Sequence, residues 1–129
     1  MKSNKISYGE LAILFVEEYK KGKISISSKD WIYLAKKNGF PDTMAEKGCP
    51  KNTFFGLCED GFVKGIPCGN YTSSTKNKGY ALEALEILKR RPELSNNPRE
   101  LWEEIADISY NQQMSVVCAL WKANLIKNS

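Results

Sequence analysis

The apolar positions along the chain recur at steps of three and four residues, which is the spacing of one face of an amphipathic helix. In the first such stretch the apolar residues are Leu11, Leu14, Phe15 and Tyr19, and Gly22 follows as a stop. The same pattern predicts six short helices, over residues 8–21, 27–37, 50–60, 78–91, 97–108 and 113–123. No strand of convincing length is indicated, so we expect an all-α fold.

Capping residues and helix breakers set the limits of these helices. Asn97, Pro98 and Glu100 combine an N-cap, a first-turn proline and an acid, which marks a helix start. Between residues 64 and 77, glycines and prolines predict a segment without regular structure. The fifth helix is expected to bury Ile105 and Ile108. The main core residues are predicted to be Trp31, Phe54, Leu57, Leu85, Trp102, Leu120 and Trp121.

Two parts of the chain share one pattern when the sequence is shifted by 63 residues. Residues 54–64 then lie over residues 117–127, and both contain an apolar helix, a Gly or Asn stop, two apolar residues and a lysine. This pattern predicts two similar three-helix, helix-turn-helix-like units, over about 8–65 and 78–127, joined by a loop of residues 65–77. The alternative is a chance similarity between short helices that end at Gly or Asn.

Length and composition are those of an ordinary globular domain. The chain has 129 residues, of which 42% are apolar and 26% charged, and we expect a single domain over residues 1–129. Its longest apolar run, residues 11–16, is far shorter than the roughly 20 residues that span a bilayer. Glu17 and Glu18 also interrupt the run that a signal peptide after Met1 would need. We therefore expect a cytoplasmic protein that does not enter a membrane.

The lack of histidine restricts the chemistry of the chain. It excludes Ser-His-Asp catalysis, Cys-His catalysis and histidine metal ligands. The chain has four cysteines, Cys49, Cys58, Cys68 and Cys118, and no Cys-x-x-Cys pair. Since there is no histidine, a structural zinc would need all four as ligands, so buried free thiols are the better interpretation. We expect no metal and no cofactor. Cys68, in a glycine- and proline-rich loop, is the one candidate reactive thiol, and a thiol-dependent enzyme is a remote alternative.

Charge and polarity favour the central segment as a binding surface. The net charge is +4, from 19 basic and 15 acidic residues, which permits nucleic-acid binding. The third and sixth predicted helices are unsuited to act as recognition helices, because the sixth is apolar nearly all round and the third carries acidic residues. We therefore expect a non-catalytic module that contacts nucleic acid or another polyanion through the central loop. The candidate contact residues are Lys64, Tyr71, Thr72, Ser73, Ser74, Thr75, Lys76, Asn77, Lys78, Arg90 and Arg91.

Two alternatives stay open. The central loop is also explained as a solvated linker between two repeats. The protein is also explained as a protein-interaction or assembly module, with Phe62, Val63, Leu125 and Ile126 forming an apolar partner surface at two matching helix exits. Salt separates the binding hypotheses, because polyanion binding weakens steeply as salt rises whereas an apolar interface does not. The sequence leaves the oligomeric state open.

Several short segments of the chain resemble a known family. They are Lys47-Gly48-Cys49-Pro50, Gly56-Leu57-Cys58-Glu59, Val63-Lys64-Gly65-Ile66-Pro67, Gly69-Asn70-Tyr71-Thr72 and Leu120-Trp121. In these segments the chain resembles an uncharacterised family of small bacterial and phage proteins, a domain of unknown function. The resemblance implies a bacterial or phage origin, and it implies no activity, cofactor or catalytic residue.

Overall fold

The computed structural model describes residues 6–127, which form seven α-helices and one 3-10 helix. They are α1 (Tyr8–Lys20), α2 (Ser28–Lys37), α3 (Asp42–Ala45), α4 (Gly48–Glu59), α5 (Thr75–Arg90), the 3-10 helix (Pro92–Asn96), α6 (Pro98–Glu103) and α7 (Gln113–Lys122). Six of the α-helices match the six predicted helices, and α3 is an additional single turn. The all-α prediction is confirmed. Residues 1–5 and 128–129, which the single-domain prediction includes, lie outside the described residues.

Side-chain caps explain where two of these helices begin. The Ser7 hydroxyl accepts the N–H of Glu10 at 3.0 Å, and the Glu10 carboxylate accepts the N–H of Ser7 at 2.8 Å, which is a complete capping box for α1. The Asn97 side chain accepts the N–H of Glu100 at 3.2 Å, as the sequence predicts for α6. No helix among residues 6–127 has the length and apolar character to cross a bilayer.

Helix α5 begins earlier than predicted. The Ser74 hydroxyl accepts the N–H of Asn77 at 3.4 Å and caps the helix, which begins at Thr75 rather than at Lys78. Such a cap satisfies one of the N–H groups that the first turn of a helix leaves without a helical partner. Thr75, Lys76 and Asn77 therefore lie in the first turn of α5, and their predicted place in an irregular segment is wrong.

Helix α6 is shorter than predicted. It ends at Glu103, and the N–H groups of Ile105 and Ala106 both donate to the Trp102 carbonyl, at 2.9 and 3.0 Å, so that the chain turns. The indole N–H of Trp102 also donates to the Ile108 carbonyl at 2.9 Å. Because the chain has left the helical path, Ile105 is only half-buried and the Ile108 side chain is 55% exposed. The predicted place of Ile108 on a buried face is wrong.

Apolar side chains from the helices form one buried cluster. At its centre the rings of Phe15, Trp31, Phe54 and Phe55 pack with centroid separations between 5.3 and 6.0 Å. Burial of one such side chain stabilises a fold by about 1.5–3 kcal/mol. All the predicted core residues are buried except Trp121, which is half-buried.

The first helix of each predicted unit (residues 8–65 and 78–127) packs against the last helix of the other. Helix α1 lies mainly against α7 and α5 mainly against α4, while α4 and α7 also contact each other. Both crossings are close because each contains a glycine. A Cβ on Gly9 would clash with Ser115 and Ala119, and a Cβ on Gly56 would lie 2.8 Å from the Cβ of Lys78. The two halves therefore share one interior.

Two backbone hydrogen bonds join the chain just after α4 to the chain just after α7. The N–H of Lys64 donates to the Leu125 carbonyl at 2.8 Å, and the N–H of Lys127 donates to the Phe62 carbonyl at 2.8 Å. They flank an isolated antiparallel bridge between residues 63 and 126, and the described residues contain no strand. This junction fixes the start of the segment that leads to α5.

Candidate functional site

The central loop, defined as residues 65–74, connects the exit of α4 to the start of α5. It begins at Gly65, whose φ of +89° lies in the left-handed region that favours glycine. Ile66 is buried and anchors this end of the loop in the core. The N–H of Gly69 donates to the Glu59 carbonyl at 3.2 Å. The loop is thus held against the end of α4.

The carboxylate of Glu59, at the end of α4, holds the middle of the central loop. One oxygen accepts the N–H groups of Tyr71 and Thr72, at 2.9 and 3.2 Å. The other accepts from the Lys78 ammonium at 2.8 Å, and Lys78 also donates to Asp60 at 2.9 Å. Hydrogen bonds to an ionised carboxylate are stronger than those between neutral groups, so Glu59 holds the loop backbone firmly against the end of α4.

Glu59 and Lys78 each stabilise the charged form of the other. The hydrogen bond from Lys78, followed by that from the Tyr71 N–H, lowers the pKa of the Glu59 carboxyl below its ordinary value. The hydrogen bonds to Glu59 and then to Asp60 raise the pKa of Lys78. Lys78, a predicted contact residue, is therefore engaged within the molecule, where it neutralises carboxylates.

Two further side chains shape the central loop from within. The Thr72 hydroxyl donates to the Asn52 side chain of α4 at 3.0 Å and accepts the N–H of Ser74 at 3.1 Å. The Tyr71 hydroxyl donates to the Pro67 carbonyl at 2.7 Å. Both predicted contact residues thus use their hydroxyl groups in hydrogen bonds within the molecule, which gives the loop a defined shape without regular secondary structure.

The outer face of the central loop is polar and open. Ser73, Thr75 and Lys76 are exposed there. Residues 70–73 line a shallow depression of about 310 Å³. Asn77, also a predicted contact residue, is half-buried and accepts from the Gln113 side chain at 3.4 Å. The exposed candidates therefore form a strip that runs from the loop onto the first turn of α5.

Two lysines lie at the start of the central loop. Lys64 is half-buried, and its ammonium donates to the Asn124 side chain at 3.3 Å. Lys20, at the end of α1, is exposed, and its side-chain carbons lie so close to Gly65 that a Cβ there would be 3.0 Å from them. Sequence reasoning missed Lys20, because nothing local to residue 20 indicates that α1 ends beside the central loop.

Arg90 and Arg91 are not part of this surface. They lie at the opposite end of α5, since the 14 helical steps between Lys76 and Arg90 span about 21 Å. Arg91 is surrounded by acids, with Glu100 and Glu104 at 4.0 and 3.6 Å. The structure therefore separates the two predicted arginines from the central loop.

The cysteines divide into buried and accessible thiols, and all four are free. Burial raises the pKa of Cys58 well above its ordinary value and that of Cys118 to about 12. Cys68 is exposed and Cys49 half-buried. Within residues 6–127, no group of three or more cysteine or acidic side chains is arranged to hold a metal ion.

The apolar surface predicted at the two helix exits is largely internal. Val63 is buried completely and Ile126 is 5% exposed, because they face each other across the antiparallel bridge. Phe62 and Leu125 are half-buried. The prediction that these four residues form one exposed partner surface is therefore wrong for Val63 and Ile126.

Comparison with known proteins identifies a family and no activity. Neither the curated proteins nor the solved structures contain a match. A family model, described as a family of unknown function, matches residues 4–127, which is nearly the whole chain. The expectation of an uncharacterised family is confirmed to that extent. The chain therefore belongs to DUF6979, a family of unknown function.

Proposed function

We propose that this protein is a non-catalytic binding module that contacts nucleic acid or another polyanion through the outer face of the central loop and the first turn of α5. The observation that carries the proposal is that the Glu59 carboxylate holds the loop backbone by accepting the N–H groups of Tyr71 and Thr72. A loop held in one shape loses little conformational entropy when it binds, so a polar surface on it is preorganised for a ligand. A linker that only joins two helices has no need of such a network.

The groups on this surface suit phosphate oxygens. Ser73 and Thr75 carry exposed hydroxyls, and Lys76 carries an exposed ammonium. The start of α5 contributes the partial positive charge of a helix N-terminus. Lys20 and Lys64 add positive charge at the start of the loop, beside Gly65. Glu59 and Asp60 neutralise the charge of Lys78. The remaining lysines for binding are Lys20, Lys64 and Lys76, and three cations favour a modest, salt-sensitive affinity.

Fluorescence anisotropy with labelled single- and double-stranded DNA and RNA tests the proposal. The variant combines Lys20→Ala, Lys64→Ala and Lys76→Ala, and the matched control combines Lys29→Ala, Lys36→Ala and Lys37→Ala on α2, which removes the same charge. We expect binding that weakens as salt rises from about 50 to 200 mM. Because three lysines are removed, the magnitude of the slope of log K against log salt should fall by about 2 for single strands and about 3 for duplex DNA, in the loop variant alone. Equal losses in both variants, or no binding at low salt, would overturn the proposal.

The predicted duplication also remains a proposal, and the junction after α4 and α7 supports it. Lys64 and Lys127 are 63 residues apart, and so are Phe62 and Leu125. The N–H of each lysine donates to the carbonyl of the apolar residue in the other stretch, so the two junction hydrogen bonds are equivalent under this shift. Gly61 and Asn124, also 63 residues apart, both adopt positive φ, of +80° and +62°. A bacterial or phage origin and a cytoplasmic location remain predictions from the sequence.

A further inference from the structure

The shallow depression of about 310 Å³ on the outer face of the central loop is lined by Asn70, Tyr71, Thr72 and Ser73. The backbone that lines it is fixed, because the N–H groups of Tyr71 and Thr72 donate to the Glu59 carboxylate. Tyr71 is the aromatic residue of this lining and is half-buried. The depression therefore combines polar groups with one aromatic side chain.

The ring of Tyr71 is held in one orientation. Its hydroxyl donates to the Pro67 carbonyl at 2.7 Å. The ring also packs so closely on Gly69 that a Cβ at that position would clash with it. A ring that is already ordered loses little conformational entropy when a ligand binds. Nucleic-acid bases stack on aromatic side chains, and a base is free to do so when it is not stacked inside a duplex.

Groups that suit phosphate oxygens follow the depression along the chain. Ser73 lines it, and Thr75 and Lys76 lie in the first turn of α5, where all three residues are exposed. Lys76 is three residues after Ser73, so their backbones are at most about 11 Å apart. A nucleotide whose base enters the depression can therefore place a neighbouring phosphate beside Lys76.

The positive surface on α5 ends at Glu83. This residue is exposed and lies about two helical turns, or about 10 Å, beyond Lys76 on the same side of α5. Within residues 6–127 the ion pairs of α5 are made by other side chains. At low salt a stiff duplex on Lys76 brings phosphates within about a Debye length of Glu83, whereas a flexible single strand can turn away.

We propose that this face binds single-stranded nucleic acid in preference to duplexes, with one unpaired base stacked on the Tyr71 ring in the depression. The inference rests on the proposed function and names its ligand. The phosphates beside the base contact Ser73, Thr75 and Lys76, and Glu83 disfavours a duplex. DNA and RNA share the base and the phosphates, so both are included in the test.

Fluorescence anisotropy at low salt with labelled probes of about ten nucleotides tests the proposal. The probes are a DNA strand, an RNA strand, a DNA strand of the same length that carries abasic sites, and a DNA duplex. The proteins are the full-length wild type, Tyr71→Leu and Tyr71→Phe. Tyr71→Phe keeps the ring and loses the hydrogen bond to Pro67, so it is the matched control for the shape of the loop. Circular dichroism checks that each variant is folded.

We expect the wild type to bind the DNA or RNA strand about tenfold more tightly than the abasic strand. Tyr71→Leu should lose this difference and Tyr71→Phe should keep most of it. The abasic strand should bind all three proteins alike, because its phosphate contacts are unchanged. Equal affinity of the wild type for the base-containing and abasic strands, or equal losses in the two variants, would overturn the stacking role of Tyr71.

The preference for single strands is tested with Glu83→Gln. This variant should raise the affinity for the duplex by about threefold and change that for the single strand less. Glu93→Gln, in the 3-10 helix beyond the far end of α5, removes the same charge and should change neither affinity. Wild-type binding that is as tight for the duplex as for the single strand, or equal effects of the two variants, would overturn the role of Glu83.

This inference and the proposed function fail on different results. Salt-sensitive binding with equal affinity for all the probes would leave a polyanion-binding loop in place and overturn the stacked base. If none of the probes binds at low salt, the proposed function itself is overturned, and this inference with it.

Discussion

At the scale of single residues, the carboxylate of Glu59 determines how firmly the central loop is held. In Glu59→Gln the side chain keeps its shape and one acceptor but loses its charge, so the hydrogen bonds from Tyr71, Thr72 and Lys78 weaken. We expect the free energy of unfolding at neutral pH to fall by about 1–2 kcal/mol. Urea denaturation followed by circular dichroism measures the difference.

The same substitution makes a prediction about pH. The pKa of Glu59 is lowered in the folded state, so its ionised form stabilises the fold above the unfolded pKa, near 4.3, and this contribution is lost as the pH falls through the folded value. The difference in stability between the wild type and Glu59→Gln should therefore shrink between about pH 5 and pH 3. A difference that stays constant over this range would contradict the assigned role of the carboxylate.

The four thiols should differ in their reactivity towards alkylating reagents. Cys58 and Cys118 are buried with raised pKa values, so they should resist alkylation in the native protein, whereas exposed Cys68 should react. Labelling with iodoacetamide, followed by peptide mass spectrometry, identifies the modified residues. The same labelling in denaturant is the control, because all four cysteines should then react. Early modification of Cys58 or Cys118 would mean that the core opens readily.

Individual contacts were much less predictable from the sequence than the residue types that make them. The sequence indicated Lys64, Tyr71, Lys76 and Lys78 by their types, in a segment rich in glycine and hydroxyl groups. It did not indicate that Lys78 pairs with Glu59, because these residues are 19 positions apart and meet only after the loop has folded back. Such pairings depend on tertiary structure, and helical periodicity contains no information about them.

At the scale of elements, the crossing of α4 and α5 requires a residue without a side chain at position 56. In Gly56→Ala the new Cβ would lie 2.8 Å from the Lys78 Cβ and 2.9 Å from its Cα, so the helices must move apart. We expect a loss of about 1–2 kcal/mol, although alanine favours the helical conformation by about 1 kcal/mol over glycine. Thermal or urea denaturation measures the change.

Gly79→Ala is the matched control for that prediction. Gly79 lies inside α5, and a Cβ there would meet nothing within 4 Å. Alanine should therefore stabilise the helix by up to about 1 kcal/mol. If both substitutions changed stability in the same direction, the close crossing at Gly56 would be in doubt.

Helix positions followed the sequence closely where local signals were strong and failed where tertiary contacts intervened. The stop at Gly22, the cap at Asn97 and the apolar spacing of α1 and α7 are local features. Helix α6 ends early because the Trp102 carbonyl accepts the N–H groups of Ile105 and Ala106, and its indole N–H donates to the Ile108 carbonyl. That contact overrides an apolar spacing which would otherwise continue to Ile108.

At the scale of the whole molecule, the two halves of the chain depend on each other. Helix α1 packs on α7 and α5 on α4, so each half covers apolar surface of the other. The sequence predicts two similar three-helix units in succession, and nothing in it indicates that α1 packs on α7 and α5 on α4. A shifted pattern compares helices only by their local sequence, whereas the choice of packing partner depends on side-chain fit across the whole core.

NMR measures whether the outer face of the central loop contacts a polyanion, as we propose. The full chain, labelled with ¹⁵N, is titrated with a short single-stranded DNA at low salt. We expect saturable chemical-shift changes at the amides of residues 73–76 and beside Lys20 and Lys64, and these changes should disappear as salt rises. Shifts centred on α2 or on the contact between α1 and α7, or no shifts at low salt, would overturn the proposed function.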